Sequence, residues 1–195
     1  MHQVLTVGHS THSLTDLLAL LRRHEVRALA DVRRHPGSRR LPHFNREVLE
    51  RELPASGIAY EHLPELGGHR RPRPDSANSG WDAGGFRGYA DHMDSEEFAT
   101  GLERLEALAA ERRTVVMCAE GLWWRCHRRL IADALVARGW RMRHIAPDGR
   151  LTDHELPAFA VVEGGRVSYP PAQGELAPAA PSTRASARRS RSPRG

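Results

Sequence analysis

The chain passes from a strand-like apolar run directly into a group of reactive side chains at Val115-Val116-Met117-Cys118-Ala119-Glu120-Gly121-Leu122-Trp123-Trp124-Arg125-Cys126-His127-Arg128-Arg129. The apolar run predicts a buried strand, which delivers a thiol and a carboxylate into a short loop. A helical pattern then begins with Arg, Cys, His and Arg. A strand, a reactive loop and a helix in this order indicate an α/β fold, which binds ligands at the carboxyl ends of its strands.

Short apolar runs and amphipathic helical patterns alternate along the rest of the sequence. The apolar runs predict five strands, at residues 3–7, 26–32, 58–63, 114–118 and 141–145. The intervening patterns predict helices capped by Ser13, Asn45 and Ser95, a short helix at 86–93, and a helix at 125–138 that ends at Gly139. This alternation predicts a three-layer α/β domain with a mainly parallel, five-stranded sheet.

The C-terminal part differs in composition from the rest. A length of 195 residues fits one domain, which we assign to residues 1–169, with a hairpin predicted at 157–169 on the edge of the sheet. Pro, Ala, Ser and Arg dominate residues 170–195, where almost no large apolar side chain remains. We expect that segment to be a disordered tail, because it cannot bury enough apolar surface to offset the entropy lost on folding.

The basic residues are unusual because all 29 of them are arginine. The absence of lysine excludes a Schiff-base lysine and a phosphate-loop lysine. The two cysteines do not form the framework of a secreted protein. We therefore expect a cytoplasmic setting, with no targeting segment and no membrane partner, because no apolar run approaches the length of a membrane span.

Polar side chains follow three of the predicted strands at their carboxyl ends. His9 and Ser10 follow the first strand, Asp31 and Arg33 lie at the end of the second, and Cys118 and Glu120 follow the fourth. Parallel strands bring these ends to one edge of the sheet. The sequence therefore predicts that these side chains form one cluster with those of residues 125–128.

Several of these motifs also carry a family resemblance. Val7-Gly8-His9-Ser10, Asp31-Val32-Arg33 with Pro36 and Ser38, Leu66-Gly67-Gly68, Phe86-Arg87-Gly88-Tyr89-Ala90-Asp91, and Cys118-Ala119-Glu120 with Trp124-Arg125-Cys126-His127-Arg128 occur in this order over residues 3–147. The sequence resembles the domain of unknown function 488 family in these motifs. The resemblance implies a single cytoplasmic α/β domain and names no reaction.

The predicted catalytic residues are Cys118, Glu120, His9, Asp31 and His127. Cys118 is either a small buried hydrophobe or a thiolate stabilised by the following helix N-terminus and arginines. Glu120 is either a general acid or base beside apolar neighbours, or a salt-bridge partner of arginine. The order of strand, Cys, loop and Arg is similar to cysteine phosphatases and sulfurtransferases, although the spacing differs by one residue and the loop has one glycine.

The predicted substrate-binding residues surround this centre and carry groups for anions or flat rings: Ser10, Arg33, Arg125, Arg128, Trp124, Arg70 and Arg71. The last two belong to a long Gly-, Pro- and Arg-rich segment, which is either a binding loop or an arm packed on its own domain. Zinc is an alternative occupant, held by Cys118, Cys126, His127 and His9. Against it, Cys126 and His127 would point about 100° apart on one helix. No cofactor is otherwise predicted.

These features favour a small cytoplasmic enzyme that acts on an anionic, phosphate-bearing substrate such as a nucleotide or nucleic acid. Cys118 or Glu120 would carry the chemistry, and Arg33, Arg125 and Arg128 would bind the anion. Two alternatives stay open. One is a non-catalytic nucleic-acid-binding module that uses the arginine-rich loop and tail, and the other is a structural zinc domain.

Overall fold

Strands and helices alternate along residues 2–171, which are the residues that this computed structural model describes. Most of the predicted tail, residues 172–195, lies outside them. The strands are β1 (Gln3–Gly8), β2 (Ala28–Asp31), β3 (Ala59–His62), β4 (Thr114–Cys118), β5 (Arg141–Ile145), β6 (Leu151–Asp153), β7 (Val161–Glu163) and β8 (Arg166–Ser168). The helices are α1 (Leu14–Arg23), α2 (Arg46–Ala55), α3 (Gly84–His92), α4 (Glu96–Glu111) and α5 (Arg128–Ala137).

The central sheet has the strand order β3-β2-β4-β1-β5-β6. The first five of these strands are parallel, as predicted, and β6 adds a sixth that pairs antiparallel with β5. The predicted C-terminal hairpin forms from β7 and β8, but it is a separate two-stranded sheet. It is not on the edge of the central sheet, because β6 already covers the free side of β5.

Helices cover both faces of this sheet and give it three layers. Side chains alternate along β4, so that Val115 and Met117 face the core formed with α1 and α2. Val116 and Cys118 face the opposite core, formed with α3, α4 and α5. Within residues 2–171, no helix is both long and apolar enough to cross a membrane.

Two of the three predicted N-caps are confirmed. The hydroxyl of Ser13 accepts a hydrogen bond from the backbone of Asp16, and that of Ser95 accepts one from Phe98. Asn45 stands at the N-cap position of α2, but its side chain instead accepts a hydrogen bond from the backbone N–H of Ser38, at 2.6 Å. That bond ties the loop after β2 to the start of α2.

The helix predicted at 125–138 is shorter than expected. Trp123–Arg125 form a 3₁₀ turn, Cys126 has an extended backbone with φ −123° and ψ 148°, and α5 begins only at Arg128. The extended residue breaks the helical path between the turn and α5. As a result, Cys126 is not on a helical face.

The strand order creates a crevice between β1 and β4. The chain leaves β1 towards β2 on one side and leaves β4 towards β5 on the other. Two neighbouring strands whose connections run in opposite directions form a topological switch point, where open α/β sheets bind ligands. His9 and Cys118 lie at this point.

Candidate functional site

A cavity of about 830 Å³ opens at the carboxyl edge of the sheet. The predicted site residues that line it are His9, Ser10, Arg33, Cys118, Glu120, Arg125 and His127. A cavity of this size accommodates a nucleotide-sized molecule. The prediction that the strand ends bring these side chains to one place is therefore confirmed by the topology.

Close backbone approach holds the two loops of the crevice together. The backbone N–H groups of His9 and Ser10 donate to the carbonyls of Cys118 and Ala119. A Cβ atom on Gly8 would lie 2.0 Å from the carbonyl oxygen of Glu120, so only glycine fits there. Gly68 is similar, because a Cβ atom on it would lie 2.7 Å from Nδ1 of His127.

Two thiols and one imidazole form the centre of the cavity wall. Nδ1 of His127 lies 4.0 Å from the sulfur of Cys118 and 3.7 Å from that of Cys126. Nε2 of the same ring lies 3.4 Å from the carbonyl oxygen of Val32, which makes it the N–H that donates to the backbone. Nδ1 therefore faces the sulfurs, where it accepts from a thiol or, when protonated, donates to a thiolate.

A buried guanidinium identifies which thiol carries the charge. Arg128 is 1% exposed, donates from Nε to the sulfur of Cys126 at 3.4 Å, and donates from Nη2 to the carbonyl oxygen of Glu120. Across residues 2–171, no carboxylate lies within salt-bridge distance of it. Because a buried cation requires a counter-charge, the sulfur of Cys126 is the group at hand that can supply one as a thiolate.

The pKa directions of the two thiols agree with this assignment. Its hydrogen bond with Cys126 and its burial both raise the pKa of the Cys118 thiol. The same hydrogen bond lowers the pKa of Cys126, with help from His127 and Arg128, and outweighs the opposing effect of burial. Both directions favour Cys126 as the site of the thiolate and Cys118 as the neutral thiol.

The ion pair of Asp31 and Arg33 occupies the other side of the cavity. Arg33 donates to both carboxylate oxygens of Asp31, at 2.8 and 2.6 Å, and to the carbonyl of Phe44. Tyr60 donates to the same carboxylate, and burial raises the pKa of its hydroxyl. The guanidinium is thereby largely neutralised, so it is less able to bind a substrate anion than the sequence predicted.

His9 joins this ion pair and lies apart from the thiols. Its Nε2 accepts from Nη1 of Arg33 at 3.3 Å, its Nδ1 donates to the carbonyl of Ser10, and its ring stacks on Phe44 with 4.1 Å between centroids. Burial and then the charge of Arg33 lower its pKa to about 4. His9 is therefore a neutral imidazole at neutral pH.

Glu120 and Arg125 face the opening of the cavity. The carboxylate of Glu120 is exposed and accepts a hydrogen bond from the backbone N–H of Leu122. Among the described residues it forms no salt bridge, so its predicted pairing with arginine is absent. The exposed guanidinium of Arg125 lines the cavity and is the cation most accessible to an incoming anion.

Four predicted substrate-binding residues do not line the cavity, and one of them is the buried Arg128. Arg70 is paired with both carboxylate oxygens of Glu97 and with the carbonyl of Gly67, which fits an arm packed on its own domain. Arg71 is exposed and lies outside the cavity wall. Trp124 is 49% exposed and also points away from it.

Most of the cavity wall lies in a range of the chain that matches a known protein family. Residues 13–135 match the family described as domain of unknown function DUF488. The chain belongs to this family. The matched range contains Asp31, Arg33 and the whole segment from Cys118 to Arg128, whereas His9 and Ser10 precede it. No curated protein and no solved structure matches the chain.

The DUF488 domain also brings together three residues that could hold a metal ion. One ligand atom from each of Cys118, Cys126 and His127 lies within 4.8 Å of the others, and two sulfurs with one nitrogen suit zinc. The expectation that Cys126 and His127 diverge on one helix is wrong, because both precede α5. His9 does not complete the set, since Ser10 and Arg33 occupy its ring nitrogens.

A second histidine cluster, whose residues lie mostly outside the matched range, was not predicted from the sequence. Thr6, His144, His154, Asp133 and Tyr169 form one chain of side-chain hydrogen bonds, with distances of 2.6 to 2.9 Å. All five residues are buried. They come from β1, β5, α5 and the segments after β6 and β8, so no local sequence pattern indicates that they meet.

Proposed function

We propose that the protein is a small cytoplasmic enzyme that uses the thiolate of Cys126 to act on a phosphate-bearing substrate, such as a nucleotide, in the edge cavity. One observation carries the proposal. The buried guanidinium of Arg128 contacts the sulfur of Cys126, which lines that cavity, and has no carboxylate partner in residues 2–171. A thiolate held in this way is a nucleophile poised towards the cavity.

The neighbouring groups support a division of roles. Cys118 is the neutral thiol beside the thiolate, so Cys126 takes the role of nucleophile that the sequence assigned to Cys118. His127 orients the two sulfurs. Glu120, exposed at the opening, is the candidate general base that accepts a proton from the water that releases the product from the sulfur.

The substrate anion belongs at Arg125. Asp31 neutralises Arg33, and Cys126 and the Glu120 carbonyl occupy Arg128, whereas the guanidinium of Arg125 lines the cavity without a carboxylate partner among the described residues. Arginine binds phosphate with two parallel hydrogen bonds. His9 and Ser10 also line the cavity, and the hydroxyl of Ser10 can donate or accept at the sugar or base.

Thiol alkylation tests the central group directly. With a small alkylating reagent from about pH 5 to 10, Cys126 of the wild-type chain, identified by peptide mapping, should titrate well below the usual value of about 8.5. Cys118 of the Cys126→Ala variant, the matched control, should stay unreactive at neutral pH. A screen of phosphorylated substrates should then give turnover that Cys126→Ala abolishes and Glu120→Gln lowers. An unreactive Cys126 contradicts the proposal.

A metal centre at Cys118, Cys126 and His127 is the second candidate, because their ligand atoms converge within 4.8 Å. Metal analysis of protein purified without chelators distinguishes this metal centre from the free thiolate proposed above. About one zinc per chain, lost in Cys126→Ala, would favour the metal centre and displace the free thiolate. An oligonucleotide mobility shift that requires residues 172–195 and does not require Cys126 would instead support the nucleic-acid-binding alternative.

A further inference from the structure

The two cysteines of the chain lie at opposite ends of the loop 118–126, yet their sulfurs share one wall of the cavity. Both are within 4.8 Å of each other and of Nδ1 of His127. Both side chains line the cavity, so a small molecule in it can reach either sulfur. The pair is free, with no disulfide.

The surroundings of the two sulfurs are unequal. Arg128 donates to the sulfur of Cys126 at 3.4 Å, whereas the sulfur of Cys118 lies 4.0 Å from Nδ1 of His127 and, among the described residues, accepts no hydrogen bond from a guanidinium. A guanidinium favours the anion, so Cys126 attacks and Cys118 keeps its proton. A thiolate beside a neutral second thiol is the arrangement in which a sulfur that has been oxidised can be resolved to a disulfide.

We propose that Cys126 and Cys118 form a two-electron redox couple, in which a small hydroperoxide that enters the cavity oxidises Cys126 and Cys118 then closes an intramolecular disulfide. This activity deepens the proposed function, because it rests on the same thiolate. It does not need the phosphate-bearing substrate. Disulfides of reducing compartments are mostly transient and catalytic or redox-sensing, which agrees with a pair that faces a cavity.

The chemistry balances without any further reactant. The thiolate sulfur of Cys126 attacks the hydroperoxide, an S–O bond forms and the O–O bond breaks. The alkoxide takes a proton from solvent, equal to the one that Cys126 lost on ionisation, and leaves as an alcohol. Cys126 is then a sulfenic acid. The sulfur of Cys118 attacks that of Cys126, the S–S bond forms, and the hydroxyl leaves with the Cys118 proton as water. Two thiols have been oxidised and one hydroperoxide reduced.

Closing the disulfide has a consequence for Arg128. The sulfurs must approach to about 2 Å, and the product carries no negative charge. Arg128, which is 1% exposed, then loses its counter-charge and keeps only the Glu120 carbonyl. An uncompensated buried cation destabilises the oxidised form, so we expect the disulfide to be reduced readily by small dithiols.

Stoichiometric oxidation of the full chain tests the couple. One equivalent of hydrogen peroxide should remove both titratable thiols, give a linked peptide pair containing Cys118 and Cys126, and leave the protein monomeric in denaturant. Dithiothreitol should restore both thiols. Loss of one thiol only, over-oxidation to a sulfinic acid, or disulfides between chains would overturn the proposal. This measurement needs no variant, so misfolding cannot obscure it.

Single variants assign the order of events. In Cys118→Ala, the sulfenic acid should persist on Cys126 and be trapped by dimedone. In Cys126→Ala, Cys118 should react with peroxide at least tenfold more slowly than Cys126 does. Equal reactivity of the two cysteines contradicts the assignment.

The outcomes also separate this couple from the proposed function. Rapid alkylation of Cys126 without disulfide formation rejects the couple alone. Efficient disulfide formation in a protein that turns over no phosphorylated substrate rejects the substrate class alone. A Cys126 that resists both reagents rejects both.

Discussion

Two buried histidine clusters meet at the loop that follows β4, and they differ in how completely their polar groups are satisfied. In the closed cluster, Thr6, His144, His154, Asp133 and Tyr169 bond to one another at 2.6 to 2.9 Å. In the open cluster, Cys118, Cys126 and His127 line the cavity with contacts of 3.7 to 4.0 Å between sulfur and nitrogen. Trp123 joins them, because its ring stacks on His144 with a centroid distance of 3.9 Å.

The difference separates a structural role from a reactive one. Every histidine nitrogen of the closed cluster has a partner, so the cluster fixes where β5, α5 and the C-terminal hairpin lie. Beside the open cluster lies the guanidinium of Arg128, which has no carboxylate partner among the described residues and donates a hydrogen bond to the sulfur of Cys126. Cys118, Cys126 and His127 also line a cavity. Damage to the closed cluster should therefore lower stability, whereas damage to the open cluster should change reactivity.

Asp133→Ala should have the largest effect on stability. Its carboxylate accepts from His154 at 2.7 Å and from Tyr169 at 2.6 Å, and the variant leaves both donors buried without an acceptor. We expect the free energy of unfolding to fall by about 3 to 5 kcal/mol, measured by urea denaturation. Asp148→Ala, which removes an exposed ion pair with Arg150, is the control and should leave the free energy of unfolding nearly unchanged. Equal losses of unfolding free energy in Asp133→Ala and Asp148→Ala would contradict the structural role of the closed cluster.

Acidification should destabilise the fold through two neutral histidines, His144 in the closed cluster and His9 beside the ion pair of Asp31 and Arg33. Burial, followed by the charge of His154, lowers the pKa of His144 to about 3, and the pKa of His9 is lowered to about 4, from 6.5 for both. Between pH 6.5 and 4 the unfolded chain binds protons that the folded protein does not. The free energy of unfolding should therefore decrease as the pH is lowered, by on the order of a few kcal/mol in total.

Urea denaturation at several pH values between 7 and 4.5 measures this slope, above the range where most carboxylates titrate. His144→Gln should flatten the slope relative to the wild type, whatever its effect on stability at pH 7. His35→Gln removes an exposed imidazole and should leave the slope unchanged. A pH-independent stability over this range would show that His144 and His9 are not held neutral by the fold.

Gly8→Ala should disturb the boundary of the open cluster. The added methyl carbon would lie 2.0 Å from the carbonyl oxygen of Glu120, which also accepts from Arg128. We expect a loss of about 1 to 3 kcal/mol in the free energy of unfolding and slower alkylation of Cys126. Gly37→Ala, where no heavy atom lies within 4 Å of the added carbon, is the matched control. It should change neither quantity.

Trp123→Leu should have the smallest effect of this series. It removes the stack on His144 and is expected to cost about 1 kcal/mol in denaturation experiments. Trp124→Leu changes the adjacent ring, which is 49% exposed, and should be nearly neutral. If the alkylation rate of Cys126 changes in Trp123→Leu and not in Trp124→Leu, the closed cluster positions the open one. Equal behaviour of the two variants would show that the clusters are independent.

Local patterns predicted much of the fold. The strand at 114–118 and the strand at 141–145 begin and end where predicted. Ser13 and Ser95 cap their helices through contacts three residues away. The short β6 was not predicted, because three residues of which two are exposed show no alternation.

The site was predicted in its location and only partly in its chemistry. Strand ends and parallel pairing suffice to bring His9, Arg33 and Cys118 to one edge. They do not show that the sheet separates the groups, with His9 and Arg33 beside Phe44 and the thiols beside α5. Nor do they show that Cys126, treated as a helical residue, is extended and turns its sulfur towards Cys118.

The sequence by itself determined the α/β alternation, the reactive loop after β4 and the edge at which the loops converge. These follow from side-chain periodicity and caps, which act within a few residues. Only the tertiary structure decided that Arg128 compensates Cys126, that Asp31 neutralises Arg33, and that Asp133 completes a closed chain with Tyr169. Partners of buried charges are chosen by which distant segments pack together, because a charge removed from water must pair with whichever group the fold places beside it.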